Sequence, residues 1–332
     1  MRSQNSPVSI LDGIIAPVRP EMDEVERNIR SWTASPNPLI AEVGRYLFQD
    51  KGKRLRPAVL LLSSRVAGYR GSEAPFLAGL IEVIHTASLI HDDIIDNSAL
   101  RRGRESVHAK WGPNITVLLG DFLYIKSIGL CLRASDDRII SIMAELSARM
   151  IEGELTEYFY SRNPEITESQ YLDIIDMKTA SLFSAASRIG AALGRLDPES
   201  ESRLADIGKY FGMAFQIIDD LLDFEGREEI LGKPVLSDLA EGRITLPLIH
   251  ALDGPPGDGA GRLAGFVRRK DLDASDRKAV LDILRTRGSL DYAFAKAEGY
   301  TEKARALLAS FPESPERNAL LDIADFILAR ET

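Results

Sequence analysis

Cysteine is almost absent: the 332-residue chain has one, Cys131. A lone cysteine closes no intrachain disulfide and builds no cysteine metal site, and it fits a reducing, cytoplasmic setting. Histidine is scarce too, four in all, which leaves little for a zinc centre. Basic charge is in deficit, with 41 Lys and Arg against 50 Asp and Glu and a net charge of −9. That balance argues against general attraction to nucleic acid or anionic lipid, so an anionic ligand has to be held by a local cluster of cations. No uninterrupted apolar run approaches the ~20 residues of a membrane span. The apolar stretch 10–15 is short and broken by Asp12, so a leader and stable membrane insertion are both unexpected.

Long alternating runs of Val, Ile and Thr are also missing. Apolar residues recur instead at three and four, the period of helices, and the 45% hydrophobic content suffices for a full core. The expected fold is all-α, one large helical bundle forming a single domain over 1–332. Pro75 opens a segment running to about Asp96, and Pro113-Asn114 starts another ending near Arg133. Thr167 and Gln170 form a capping box for a helix to about Gly194, and Asp197-Pro198 begin one to about Phe224. Segments 76–95 and 115–132 are apolar on nearly all sides, which predicts that both lie at the bundle centre. Gly254-Pro255-Pro256-Gly257 reads as a surface loop.

Two aspartate clusters interrupt apolar helices. Leu-Ile-His-Asp-Asp-Ile-Ile-Asp places Asp92 and Asp96 one turn apart with Asp93 between them, and the same spacing returns at Asp219, Asp220 and Asp223. Aspartate is a poor interior helix residue, and burying an unpaired carboxylate is costly, so each cluster calls for a compensating cation. One such cluster could be a solvated helix end; two identical ones, each ending a largely buried helix, are hard to explain that way. Oxygen-only ligands suit Mg²⁺, which keeps several waters and shares its other positions with substrate phosphate. Two clusters therefore imply a diphosphate between them.

Cations gather at matching places. Lys51, Lys53, Arg54 and Arg56 crowd one short segment, Arg101, Arg102 and Arg104 follow the first Asp cluster, Lys178 stands beside Thr179, and Lys233 follows the second cluster. Arg offers forked donors to phosphate and Lys a compact charge. A nucleotide loop at Gly52-Lys53 is excluded, because Arg54 stands where Ser or Thr is needed and no Gly lies five residues before Gly52.

From about Lys51 to Pro247 the chain resembles the trans-isoprenyl diphosphate synthase family, more closely its bacterial octaprenyl-type long-chain members. The resemblance rests on Gly-Lys-Arg-Leu-Arg-Pro, His-Asp-Asp-Ile-Ile-Asp with Arg-Arg-Gly behind it, Lys-Thr-Ala, Phe-Gln-Ile-Ile-Asp-Asp-Leu-Leu-Asp and Gly-Lys-Pro, in the family's order. It implies an isoprenoid-synthase bundle around a deep cavity, a homodimer, and Mg²⁺-dependent addition of isopentenyl diphosphate to an allylic diphosphate such as farnesyl diphosphate, giving a long all-trans polyprenyl diphosphate. Asp92, Asp96 and Asp219 would ligate Mg²⁺, supported by Asp93, Asp220 and Asp223. Arg101, Lys178 and Lys233 would hold the allylic diphosphate, while Lys53, Arg56, His85 and Arg102 would hold isopentenyl diphosphate. Thr179 and Gln216 would place oxygens near the developing allylic cation.

One departure is visible. The family often has Gly-Lys where this chain has Gly242-Arg243, so the role of Arg243 at the allylic diphosphate is open. One to two turns before Asp92 stand Ala87 and Ser88. If the Asp cluster lies at a cavity mouth, these small residues line its wall and leave room for a long product. A shorter-chain synthase and the catalytic subunit of a heteromeric synthase are the alternatives within the family. A metal phosphohydrolase built on His85 and His91-Asp92 leaves the second Asp cluster unexplained.

Overall fold

The structure, a computed structural model, describes residues 7–49, 52–101, 103–134, 136–225, 235–254 and 259–330. Lys51, Arg102, Lys233 and most of the loop expected at 254–257 lie outside the described residues. In chain order the helices are α1 (Pro7–Ile15), α2 (Arg19–Thr33), α3 (Pro38–Leu47), α4 (Leu55–Val66), α5 (Glu73–Ile95), α6 (Val107–Trp111), α7 (Pro113–Cys131), α8 (Asp137–Tyr160), α9 (Glu168–Ile175), α10 (Ser181–Leu193) and α11 (Pro198–Glu225). They are followed by α12 (Ser237–Glu241), α13 (Leu246–Leu252), α14 (Ala260–Val267), α15 (Ala274–Thr286), α16 (Ser289–Leu308) and α17 (Pro315–Leu328). One contiguous hydrophobic core runs from Ile14 to Ile327.

Helix starts follow the sequence signals. Thr167 accepts from the Gln170 N–H while Gln170 accepts from the Thr167 N–H, closing the expected capping box. The helix it opens is not uniform. Between α9 and α10 lies one π-helical segment, Asp176–Ala180, which carries Lys178 and Thr179. Wide turns of this kind are rare and frequently mark functional sites. This one is confined from both sides by glycines. Gly153 of α8 lies against the backbone of Lys178, and a Cβ on Gly212 of α11 would overlap Ala180.

The all-α expectation holds apart from one ribbon. Strands β1 (Leu100–Arg101) and β2 (Arg104–Glu105) pair antiparallel, with Leu100 opposite Glu105 and Arg101 opposite Arg104. Gly103, at φ +74°, takes the turn conformation that L side chains resist.

The bundle centre is partly where the sequence places it. Helix α5 packs against α2, α4 and α7, and α10 packs against α4, α8 and α11. Nearly every residue of α4 and α10 is buried. In α10 small residues permit this: Gly190 lies on the α4 backbone, and Gly208 of α11 lies on the carbonyl of Phe183. Helix α7 departs from expectation, since it lies at the side of the bundle and leaves Leu118, Ile125 and Leu132 exposed. Apolarity all round does not distinguish a core helix from one whose outer face is meant for a partner. By length and a mean hydropathy of 1.3, both α5 and α7 also match a membrane span, contrary to the reading from uninterrupted runs, because such a window tolerates isolated charges. In this fold the α5 window is 67% buried within the protein and the α7 window 33%.

Candidate active site

A single cavity of about 1350 Å³ opens between α4, α5, α7, α8, α10 and α11. It exceeds the ~300–1,000 Å³ of an ordinary ligand pocket. Helix α5 turns one stripe toward it, His85, Ser88, Leu89, Asp92 and Asp96, at the three- and four-residue spacing of one helix face. From α11 come Gln216, Asp219 and Asp220. The two Asp clusters, far apart in sequence, thus share one cavity.

The third carboxylates do not face it. Asp93 is 2% exposed and accepts from Arg101 Nε at 2.7 Å. Asp223 is buried against the start of α12, accepting from the Ser237 N–H and hydroxyl and from the Asp238 N–H. Both therefore shape the surroundings: Asp93 anchors Arg101, which lines the cavity, and Asp223 anchors the segment carrying Asp238.

The carboxylates at the cavity are under electrostatic load. Burial, reinforced by Glu154 and Asp96 against the opposing pull of Lys178 and Arg101, pushes Asp92 up to about 7. A cation between the clusters would relieve this. Among the described residues no three His, Cys, Asp or Glu side chains come together closely enough to hold a metal ion alone. That is the arrangement Mg²⁺ accepts, taking few protein carboxylates and completing its shell with water and phosphate. Asp92, Asp96 and Asp219 fit such an ion by charge and oxygen chemistry, and all three line the one cavity.

Cations are distributed around the same space. Burial alone lowers the Lys178 ammonium, but Glu157, Asp92 and Glu154 more than reverse this and hold it firmly protonated. Arg243 ties the first cluster to α12: it pairs with Asp96 at 2.9 Å, with Asp238 at 2.6 Å, and with Glu241. Arg56 Nη1 lies 3.0 Å from His85 Nε2, and its guanidinium stands over the rings of Phe183 and Phe215. Lys53 also lines the cavity, its Nζ 5.5 Å from the Phe326 ring centroid.

Sequence reasoning missed Arg330, which follows α17 and pairs with Asp219 at 2.7 Å while stacking 4.0 Å over Phe215. No local motif marks it; only the return of the last helix to α4 and α11 brings it here. Glu154 and Glu157, both within reach of Lys178, were missed as well, although their spacing from Met150 on α8 was readable as an inward stripe.

One buried chain of hydrogen bonds orients the oxygen donors. Thr179 Oγ1 donates to Gln216 Oε1 at 2.7 Å, Gln216 Nε2 donates to Asp220 Oδ1 at 2.7 Å, and the Tyr171 hydroxyl donates to Asp220 Oδ2 at 2.6 Å. Asp220 thereby holds the Gln216 amide with its oxygen, not its NH₂, toward Thr179.

The polyprenyl synthetase family profile matches residues 37–284. The octaprenyl diphosphate synthase of Haemophilus influenzae is 38% identical over 308 residues, covering 92% of each chain. A polyprenyl synthase from Caulobacter crescentus, solved with calcium and isoprenyl diphosphate, superposes with a TM-score of 0.92 at 35% identity and covers 100% of both chains. A decaprenyl diphosphate synthase from Rhodobacter capsulatus gives a TM-score of 0.92 at 35% identity, covering 97% of this chain and 99% of its own. The chain belongs to the polyprenyl synthetase family.

In this polyprenyl synthetase the two small residues before Asp92 separate. Ser88 lines the cavity; Ala87 is fully buried and is not on the wall. One residue is a ~100° rotation about the helix axis, which moves Ala87 off the inward stripe. His91 does not form a metal set with Asp92 and His85. Its ring packs on Gly120, and Nε2 lies 3.2 Å from the Val117 carbonyl.

The raised carboxyl of Asp92 carries a pH signature. In the unfolded chain it ionises near its ordinary 3.8, in the folded chain near 7, so the native state holds the extra proton in between. Stability of chelator-treated protein then falls as pH rises through that window. Melting curves between about pH 4 and about pH 8 should show Asp92→Asn losing less stability with rising pH than wild type. Parallel curves for the two proteins would remove the claim that Asp92 is strained.

Proposed function

We propose that this polyprenyl synthetase extends an allylic diphosphate such as farnesyl diphosphate by head-to-tail addition of isopentenyl diphosphate, releasing diphosphate and a long all-trans polyprenyl diphosphate. The chain is a polyprenyl diphosphate synthase. The observation that carries this reading is one cavity with two opposed carboxylate pairs, a separate cation set at Lys53 and Arg56, and an apolar arm between α5, α7 and α8.

Asp92, Asp96 and Asp219 are assigned to Mg²⁺, while Asp220, beside Asp219, orients Gln216. Bound Mg²⁺ would neutralise the departing diphosphate, the slow part of such an ionisation. Lys178, Arg101 and Arg243 face that leaving group, and Lys233 joins them by family resemblance. As the allylic C–O bond breaks, its electron pair leaves with diphosphate, and the oxygens of Thr179 and Gln216 stabilise the positive charge left on carbon. Lys53, Arg56 and His85, with Arg102 by resemblance, hold isopentenyl diphosphate so that its double bond forms the new C–C bond. The proton then released passes to diphosphate. No side-chain nucleophile is required.

The purified chain, given farnesyl and isopentenyl diphosphates, should form product with Mg²⁺ and none with a chelator. Asp92→Ala and Asp219→Ala should each lower turnover by about two to three orders of magnitude with helical content unchanged. Near-normal turnover in both variants would end the metal assignment.

The apolar arm sets product length. Its wall includes Ser88, Tyr124, Ile128, Ser147 and Met150. Ser88→Phe, which would narrow the arm one helical turn before Asp92, should shorten the product, whereas Ala87→Phe should chiefly cost stability by overpacking the core. Chromatography of dephosphorylated products decides between them; an unchanged length distribution in Ser88→Phe would place the limiting wall elsewhere.

A homodimer in the cytoplasm completes the proposal, in keeping with a single buried, free thiol. Leu118, Ile125, Tyr158 and Phe159 are exposed to 68, 74, 74 and 77%, forming an apolar surface on α7 and α8. Surfaces of this kind mark interfaces, and a self-complementary patch closes as a two-fold dimer. Leu118→Glu with Phe159→Glu should shift sedimentation from dimer to monomer; a wild-type monomer at micromolar concentration would contradict it.

A further inference from the structure

Of the cations crowded around the start of α4, Arg54 has no part in the chemistry above, yet its side chain is clamped. Its side chain is 6% exposed and lies between two carboxylates from different helices. Nε donates to Glu26 of α2 at 2.6 Å, and Nη1 donates to Glu82 of α5 at 2.7 Å. Its backbone is left-handed, φ 48° and ψ 36°, at the residue that caps α4. Glycine, asparagine and aspartate adopt that conformation more readily than arginine, and the two ion pairs hold the Arg54 side chain while its backbone takes it.

The consequence falls on its neighbours. Gly52, Lys53, Arg54, Leu55 and Arg56 all line the cavity, and the left-handed residue Arg54 joins Lys53 to the start of α4. Buried ion triads contribute little net stability, since packed apolar residues of similar volume often serve as well or better.

We propose that Arg54 is a positioning residue for isopentenyl diphosphate: clamped by Glu26 and Glu82, it fixes the turn that presents Lys53 and Arg56 to that diphosphate. The proposal rests on the assignment of Lys53 and Arg56 made above. Arg54→Lys keeps the charge but loses the fork that reaches both glutamates. It should weaken isopentenyl diphosphate binding about tenfold in calorimetry and raise its KM to match, while leaving the KM for farnesyl diphosphate within about twofold. Glu26→Leu/Arg54→Met/Glu82→Leu removes the triad without stranding a charge and should melt near wild type while showing the same selective loss. In a Lys53→Ala/Arg56→Ala background, Arg54→Lys should add nothing, because the groups it positions are gone.

Equal losses for both substrates would overturn the proposal, as would wild-type affinity in the triple variant or an undiminished effect of Arg54→Lys without Lys53 and Arg56. Wild-type protein that fails to bind isopentenyl diphosphate at all would instead overturn the assignment on which the proposal stands, and Arg54 would fall with it.

Discussion

The structure turns on the cost of holding several carboxylates near one another away from bulk water. Asp92, Asp96, Asp219 and Asp220, with Glu154 and Glu157, border one cavity in a protein that is already acidic. Repulsion and lost hydration would open such a site unless positive charge were supplied. Lys178, Arg243 and Arg330 answer from three different elements, each paired with at least one of these carboxylates or their neighbours. The helices that bring them together gain their own stability elsewhere, in the dense contacts among α4, α10 and α11. Packing and charged residues thus sit on different faces of the same helices, as on α11, where Asp219 lines the cavity while Gly208 and Gly212 meet Phe183 and Ala180.

That separation also explains where glycine is used. Gly153 and Gly212 bear on the π-helical segment that carries Lys178 and Thr179, and Gly190 and Gly208 bring α10 against its neighbours. Close backbone contact leaves these helices little freedom to slide, because interiors packed this tightly respond to even one methylene. Thr179 and Gln216, which meet at 2.7 Å, are therefore mounted on closely packed backbone. Two of the cations at the cavity stand outside the long helices and are anchored by carboxylates, Arg54 by Glu26 and Glu82 and Arg101 by Asp93.

Much of this was legible beforehand. The Asp clusters stood out because aspartate in an apolar helix needs a reason, and the capping box at Thr167 and Gln170 follows from local hydrogen bonding. What was not legible depended on direction or on distance along the chain. Spacing could not tell that Asp93 and Asp223 turn away from the cavity, because adjacent helical residues differ by ~100° and the sequence does not say which stripe faces inward. For the same reason Ala87 and Ser88 read alike and stand apart. Helix α7 looked central because apolar residues on every side do not say which face is covered, and here Leu118 and Ile125 are exposed. Arg330 was invisible because its meaning arises from a helix folding back across the whole bundle.

The arginine partners of Asp96 and Asp219 have one more implication. Each of these carboxylates already has a counter-ion in the resting protein, and each guanidinium already has an anion. The cavity is in effect an ion-exchange resin charged with its own side chains. Neither sign of charge stands bare there, because each partner comes from a different part of the chain.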